Sequence, residues 1–245
     1  MMDLSVPTEL NPEPTLATRF LHVARIWQIV DRLRGEPGCP WDRKQTPESV
    51  QTYLVEEAHE AAAAILSGHP AEATDELGDL LFMVLFVVHL YEETGAFRLE
   101  DVCARITEKM IRRHPHVFGN TVVESAQDVR DNWEKIKAAE SNATGKENGL
   151  ASIPATLPAL MRAYRVLSRL IQQNPSWDDA AEQCRRTSAQ LRFMEQALAA
   201  EIGITAETFG ELLLSLVNLA RISGYRAEDC LQKTLNDLLA NPQAG

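Results

Sequence analysis

Apolar residues recur at intervals of three and four along most of this chain, and β-branched runs are few. That pattern predicts helices throughout and no sheet. The best-marked helix opens at Thr46-Pro47, a capping residue followed by proline in the first turn, and stops at Ser67-Gly68. Within it Val50, Tyr53, Leu54, Glu57, Ala58, Ala61 and Ile65 share one face. Pro70 opens a second helix, which runs through the apolar stretch Leu80 to Val88 to about Thr94-Gly95. The connection is short, so the two helices are expected to be antiparallel neighbours. Another helix is expected from near Leu99 to a stop at Pro115, and a further one capped by Ser125. The expected fold class is all-α, a helical bundle.

Two acidic clusters interrupt the apolar pattern: Glu56-Glu57-Ala58-His59-Glu60 on the first helix of the pair and Glu76-Leu77-Gly78-Asp79 on the second. Residues three apart are neighbours on a helix, so Glu57 pairs with Glu60 and Glu76 with Asp79. Acids beside a core are rare unless paired or bound to metal. Four carboxylates facing each other across two helices predict a hard cation, with magnesium the leading candidate. Glu56 completes the shell, orients a water or sits at the rim. Glu48, Glu72, Asp75, Glu92 and Glu93 read as a solvated face. The step Glu56-x-x-His59 also matches one half of a di-iron carboxylate site, but the partner helix offers Glu76-x-x-Asp79 instead.

Composition narrows the function classes. A chain of 245 residues can bury a substantial core in one domain or two, and its net charge of −11 argues against binding a nucleic-acid polymer. Leu80 to Val88 is too short to span a bilayer. The polar, proline-containing start carries no secretion signal, and residues 1–18 are expected to be disordered. Cys39, Cys103, Cys184 and Cys230 have no metal-type spacing, so a reduced cytoplasmic setting is expected.

The chain also repeats itself. Gly78-Asp79-Leu80-Leu81-Phe82, Gly95 and Glu100-Asp101 are echoed by Gly210-Glu211-Leu212-Leu213-Leu214, Gly224 and Glu228-Asp229. The polar, glycine-bearing residues 140–152 read as a linker between domains at 19–139 and 153–245. The copies differ chemically. Thr208 and Glu211 stand for Glu76 and Asp79, and the helix around Thr187 to Leu198, with Gln190 and Arg192, has no Glu-Glu-x-x-Glu. The second copy is therefore expected to be structural or dimerising.

A basic set, Lys109, Arg112 and Arg113, ends the helix that Pro115 stops. The helix dipole favours cations there, so capping accounts for them; so does phosphate binding, because guanidinium groups match phosphate oxygens bidentately. Trp133, Lys135 and Lys137 follow on the Ser125-capped helix, where Trp133 could stack on a base or simply pack. Cys39-Pro40-Trp41-Asp42 is a compact loop before the first acidic helix, able to close over a substrate.

Taken in order, Cys39-Pro40-Trp41-Asp42, Glu56-Glu57-x-x-Glu60, Glu76-x-Gly78-Asp79-Leu80-Leu81-Phe82 and Arg112-Arg113-His114-Pro115-His116-Val117-Phe118 resemble the MazG nucleoside triphosphate pyrophosphohydrolases. Ile153-Pro154-x-x-Leu157-Pro158-Ala159-Leu160 and Val217-Asn218-Leu219-Ala220-Arg221 resemble the join and second copy of two-domain members. The resemblance spans about residues 20 to 235. It implies an all-α homodimer that hydrolyses nucleoside triphosphates to monophosphate and pyrophosphate with magnesium, for which manganese can substitute. The family's metal-ligand positions fall on Glu57, Glu60, Glu76 and Asp79. Many two-domain relatives keep a complete acidic motif in the C-terminal copy, to which hydrolysis can be assigned; this chain lacks it, so activity is expected in the N-terminal copy. There Glu56 would orient or deprotonate water, while Lys109, Arg112 and Arg113 would stabilise the leaving pyrophosphate. Trp41, Trp133 and Lys135 would contact the nucleotide. The alternatives are a narrower substrate (dUTP or a phosphoribosyl-ATP) and a non-catalytic helical interaction module.

Overall fold

The computed structural model describes residues 16–144 and 150–240. They form α-helices and short 3-10 turns, with no strand among the described residues. Two compact units divide between Val123 and Glu124. The first holds α1 (Leu16–Arg34), a 3-10 turn (Asp42–Lys44), α2 (Pro47–Ser67), α3 (Pro70–Glu93), α4 (Leu99–Arg113) and the single turn α5 (Pro115–Phe118). The second holds α6 (Ala126–Thr144), α7 (Ala159–Gln173), a 3-10 turn (Pro175–Asp178), α8 (Ala180–Ala199), α9 (Ala206–Ile222) and α10 (Ala227–Ala240).

Local chemistry sets both ends of α2. Thr46 Oγ1 accepts from the Ser49 amide at 3.2 Å while Ser49 Oγ accepts from the Thr46 amide at 2.9 Å, so two otherwise orphaned donors are satisfied reciprocally. Gly68 ends the helix at φ 74°, a left-handed conformation that glycine adopts without steric cost. Pro70 then starts α3 at once, and α2 and α3 pack side by side as the first unit's main helix pair. Val30 from α1, Val50 from α2, and Phe86 and Leu90 from α3 form the core, backed by Phe82, Met83 and Val87.

The buried stripe of α2 differs from the expected one. Val50, Ala61 and Ala64 are buried, whereas Ile65 and Tyr53 are exposed. Ile65 lies one position, about 100° of helix rotation, past Ala64 and so turns off the inner face. Small residues at 61 and 64 take the inner positions, and half-buried Glu57 lies one turn before them.

The second unit repeats the first. In the first, α1 packs on the following 3-10 turn and on α3, and α3 packs on α2 and α4; in the second, α7 packs on its following 3-10 turn and on α9, and α9 packs on α8 and α10. Helices α3 and α9 finish alike. Gly95 (φ 69°) bonds to Glu92 O and Ala96 to Tyr91 O, while Gly224 (φ 82°) bonds to Arg221 O and Tyr225 to Ala220 O. The fold is therefore two tandem copies of one helical unit.

The second core differs in character, because Asn218 is fully buried. Its amide donates to Trp177 O and to Gln183 Oε1, each at 2.9 Å, and its oxygen accepts from Arg221 Nε at 3.0 Å. Helix α8 begins at Ala180, earlier than the repeat suggested, because the Asp179 side chain caps it by accepting from the Glu182 amide. Most of the stretch expected to be disordered, and residues 145–149 of the expected linker, lie outside the described residues; Leu16 to Thr18 form the first turn of α1.

Candidate active site

Antiparallel packing of α2 and α3 brings Glu57, Glu76 and Asp79 together, with one carboxylate oxygen from each within 4.8 Å of the others. Glu57 and Glu76 are half-buried, while Asp79, Glu56 and Glu60 are exposed. The Glu57 carboxyl is held above its ordinary value of 4.5, first by partial burial and then by the charges of Glu60, Asp79, Glu76 and Glu56. Glu76 is raised in the same way, by partial burial and then by Glu60, Asp79, Asp75 and Glu72. Glu60 thus adds its charge to the group while its oxygens stay outside the closest set.

The donor set is all carboxylate oxygen, which suits a hard divalent cation. The mutual approach is close to the separation of about 4–5 Å that opposite ligands have at metal–oxygen bonds of about 2.0–2.5 Å. No histidine belongs to the group, and His59 is exposed, so the di-iron alternative finds no second glutamate–histidine step among the described residues.

The cluster opens onto a cavity of about 360 Å³. Glu57 and Asp79 form its polar edge; Trp41, Tyr53, Phe82 and Phe86 supply most of its apolar wall. Trp41 meets Tyr53 edge-on, with ring centroids 5.9 Å apart and planes at 67°. Asp42, next to Trp41 in the chain, lines the cavity too, so the space offers aromatic walls to a flat group together with carboxylates that a divalent cation would turn attractive to phosphate.

The loop carrying Trp41 is itself tied down. Arg34, the last residue of α1, donates through Nη1 to the carbonyl oxygens of Asp42 and Gln45, the latter at 3.1 Å. Its other nitrogens hold Glu93 at the end of α3, Nε reaching Oε1 at 2.9 Å and Nη2 reaching Oε2. Arg34 bonding keeps the Glu93 carboxyl below its usual range against the opposing effect of partial burial, and His89 adds to it. Glu93, read from sequence as a solvated acid, is therefore part of an ion pair.

The remaining predicted site residues fall elsewhere. Lys109, Arg112 and Arg113 end α4 in the first unit and do not line the cavity. Trp133 and Lys135 lie on α6 in the second unit, where Trp133 lines a separate cavity of about 370 Å³ with Tyr164, Arg165 and Arg226. Sequence reading missed Arg34, Tyr53 and Phe82. The signal for Arg34 was only a cation at the end of a helix.

Among the described residues, the second unit shows no equivalent cluster. On α8 Gln190 precedes buried Met194 and Ala197 by the same steps that separate Glu57 from Ala61 and Ala64 on α2. Its Oε1 is buried with no hydrogen-bond partner. An amide thus stands where the first copy has a carboxylate.

The described residues thus give an all-α fold in which three acids converge on one helix pair, a donor set that could hold a divalent cation. Residues 45–118 match the family model described as the MazG nucleotide pyrophosphohydrolase domain. The nucleoside triphosphate pyrophosphohydrolase of Escherichia coli is 37% identical over 219 residues, 86% of this chain and 82% of its own. The nucleoside triphosphate pyrophosphohydrolase/pyrophosphatase MazG of Thermotoga maritima is 38% identical over 205 residues, 84% of this chain and 78% of its own. A crystal structure of a MazG-related protein from Thermotoga maritima aligns at a TM-score of 0.41 with 26% identity, over 47% of this chain and 98% of that one. The chain belongs to the MazG family of nucleotide pyrophosphohydrolases, hydrolases that act on phosphoric anhydride bonds.

Proposed function

We propose that the first unit hydrolyses nucleoside triphosphates to nucleoside monophosphate and pyrophosphate at the α2–α3 carboxylates. The observation that carries this reading is the approach of Glu57, Glu76 and Asp79 at the edge of an aromatic-walled cavity. These three, with Glu60 adding charge or a further ligand, would hold magnesium; manganese is expected to substitute. Bound there, the cation supplies Lewis acidity, drawing negative charge from the triphosphate oxygens.

The protein's own groups do the rest. Glu57 and Glu76 stay ionised at neutral pH more readily once a cation offsets their mutual repulsion. Water attacks the α-phosphorus in line, the bond from that phosphorus to the α–β bridging oxygen breaks, and pyrophosphate departs with that oxygen. Glu56 orients the water or accepts its proton. Lys109, Arg112 and Arg113 offset the charge on pyrophosphate, and Trp41 is the wall against which the nucleoside rests. The working form is a homodimer in the cytoplasm, with the first copy catalytic and the second structural. No helix among the described residues is long and apolar enough to cross a membrane.

The deciding assay is pyrophosphate release from each NTP and dNTP, and from dUTP and phosphoribosyl-ATP, with and without magnesium, beside Glu57→Gln. Release that needs both magnesium and Glu57 is expected, and the rate order gives the substrate. Release that survives Glu57→Gln would take the chemistry away from this site.

A further inference from the structure

Trp41 is half exposed, with 54% of its surface open, so packing alone does not fix its ring beside Tyr53. Its position follows from the backbone of the short turn that carries it. That turn bonds to itself through Arg43 N to Cys39 O, Lys44 N to Trp41 O and Gln45 N to Asp42 O. The Gln45 side chain adds a bond to Trp41 O at 3.0 Å. The same Gln45 side chain accepts from Ser49 Oγ of α2 at 2.7 Å, so the turn is held to α2, but none of these bonds reaches α3.

Arg34 supplies the tie to α3. Its side chain is 10% exposed, and its guanidinium lies 5.9 Å from the centroid of Phe86, a ring that lines the cavity and belongs to the core. From there one nitrogen reaches two carbonyl oxygens of the turn while the other two hold Glu93 on α3. A guanidinium can serve all four acceptors at once because its donors form a rigid planar fork; an ammonium is a single point. Glu93 is fixed in turn by His89, whose Nε2 also meets Asp31 of α1 at 2.8 Å.

We propose that Arg34 is a positioning residue for the nucleoside: it sets the distance between the Trp41 wall, carried by the turn, and the acids carried by α2 and α3. This rests on the first unit being the hydrolytic site. Arg34 acts through Trp41 and touches no reacting atom. Its loss is felt where the nucleoside binds and not where phosphate is attacked.

The test measures Arg34→Ala, Trp41→Ala and the double variant for pyrophosphate release, with magnesium tripolyphosphate as a competitive inhibitor that has the phosphate chain but no nucleoside. Arg34→Ala is expected to raise KM for the nucleotide about tenfold, the scale of one lost stacking contact, with kcat changed by less than about threefold. The inhibition constant of tripolyphosphate should stay the same, and Arg34→Ala should add nothing in the Trp41→Ala background. Equal weakening of nucleotide and tripolyphosphate, or additive effects of the two substitutions, would overturn the proposal. If Arg34→Ala does not fold, Arg34→Lys decides, since it keeps a cation facing Glu93 without serving both carbonyls; the same KM rise is expected, and an unchanged KM sinks the idea. Glu57→Gln separates the two levels. An active Glu57→Gln enzyme removes the site itself, whereas an inactive one beside an unchanged KM in the Arg34 variants removes only the positioning role.

Discussion

Glu57 on α2 and Asp79 on α3 bring carboxylate oxygens within 4.8 Å of each other at the edge of one cavity, with Glu76 as the third member. Partial burial, and then the crowding of like charges, disfavours the ionised form, which is why the Glu57 and Glu76 carboxyls sit above 4.5. The folded chain therefore holds more protons at these groups than the unfolded chain.

Stability should follow from that linkage. A carboxyl raised in the folded state contributes stability that is present below its ordinary value of 4.5 and lost as pH rises through the raised value. Glu93, lowered by Arg34, has the opposite sign, so its contribution is present above 4.5 and lost as pH falls through the lowered value. Without a divalent cation, melting temperature is expected to fall as buffer moves from mildly acidic to neutral. Saturating magnesium should reverse that fall, by more at neutral than at acidic pH, because protons compete for the same oxygens. Melting curves with and without magnesium across this range would show it, and a magnesium effect independent of pH would speak against the carboxylates as ligands.

Neutral isosteres should separate activity from stability. Glu57→Gln and Asp79→Asn are expected to lower pyrophosphate release by roughly a hundredfold or more, the scale of losing an ion that stabilises the transition state. Both should leave the helical circular dichroism signal intact. With magnesium chelated, both variants should melt no lower than the parent, because each removes a repelling charge. A variant that melts lower in chelator would mean the acids support the fold.

Gly38 should tolerate no side chain. A Cβ there would meet the carbonyl oxygens of Leu33 and Gly35, and that of Arg32 at 2.8 Å, all of them backbone atoms that cannot swing aside. Gly38→Ala is expected to cost about 1–3 kcal/mol in urea unfolding, the usual range for imposed backbone strain. It should also raise KM for the nucleotide, since the displaced loop carries Trp41. An unchanged urea midpoint would show that the loop relaxes freely.

Asn218 holds the second unit in the way Phe86 and Leu90 hold the first. Replacing it with leucine strands Gln183 Oε1 and Arg221 Nε, and leaves Trp177 O only the longer bond from Arg221 Nη2 at 3.4 Å. The cost is expected to be about 2–4 kcal/mol, because buried groups lose partners and water cannot replace them. Turnover per folded molecule should be unchanged, since Asn218 belongs to the second unit and the proposed chemistry to the first. Urea unfolding followed by residual activity measures both, and a large fall in kcat would tie the second unit to catalysis directly.

Much of this was legible in the sequence because the signals were local. Thr46-Pro47 and Ser67-Gly68 mark the ends of α2 through contacts only a few residues long. The convergence of Glu57, Glu76 and Asp79 followed from three-residue spacing plus a short connection. What escaped depends on distance or rotation. Arg34 meets Glu93 across 59 positions, and nothing in either neighbourhood signals the other. Ile65 looked inward because the apolar pattern permits either of two adjacent rows; the inner one turned out to run through Ala61 and Ala64. The start of α8 at Ala180 was missed because Asp179 followed another aspartate and was not recognised as a cap.

The clustered acids of the first unit, Glu57, Glu76 and Asp79, lie on one helix pair, Pro47 to Glu93. Ancestry can therefore act on the chemistry without acting on the architecture. When such a unit is doubled, a few substitutions confined to one pair silence that copy, and the scaffold that frames it is inherited unchanged. Gln190 stands at the position where the sister helix keeps Glu57. On the proposed reading the first copy needs its reactive groups, whereas the second needs only to hold its shape.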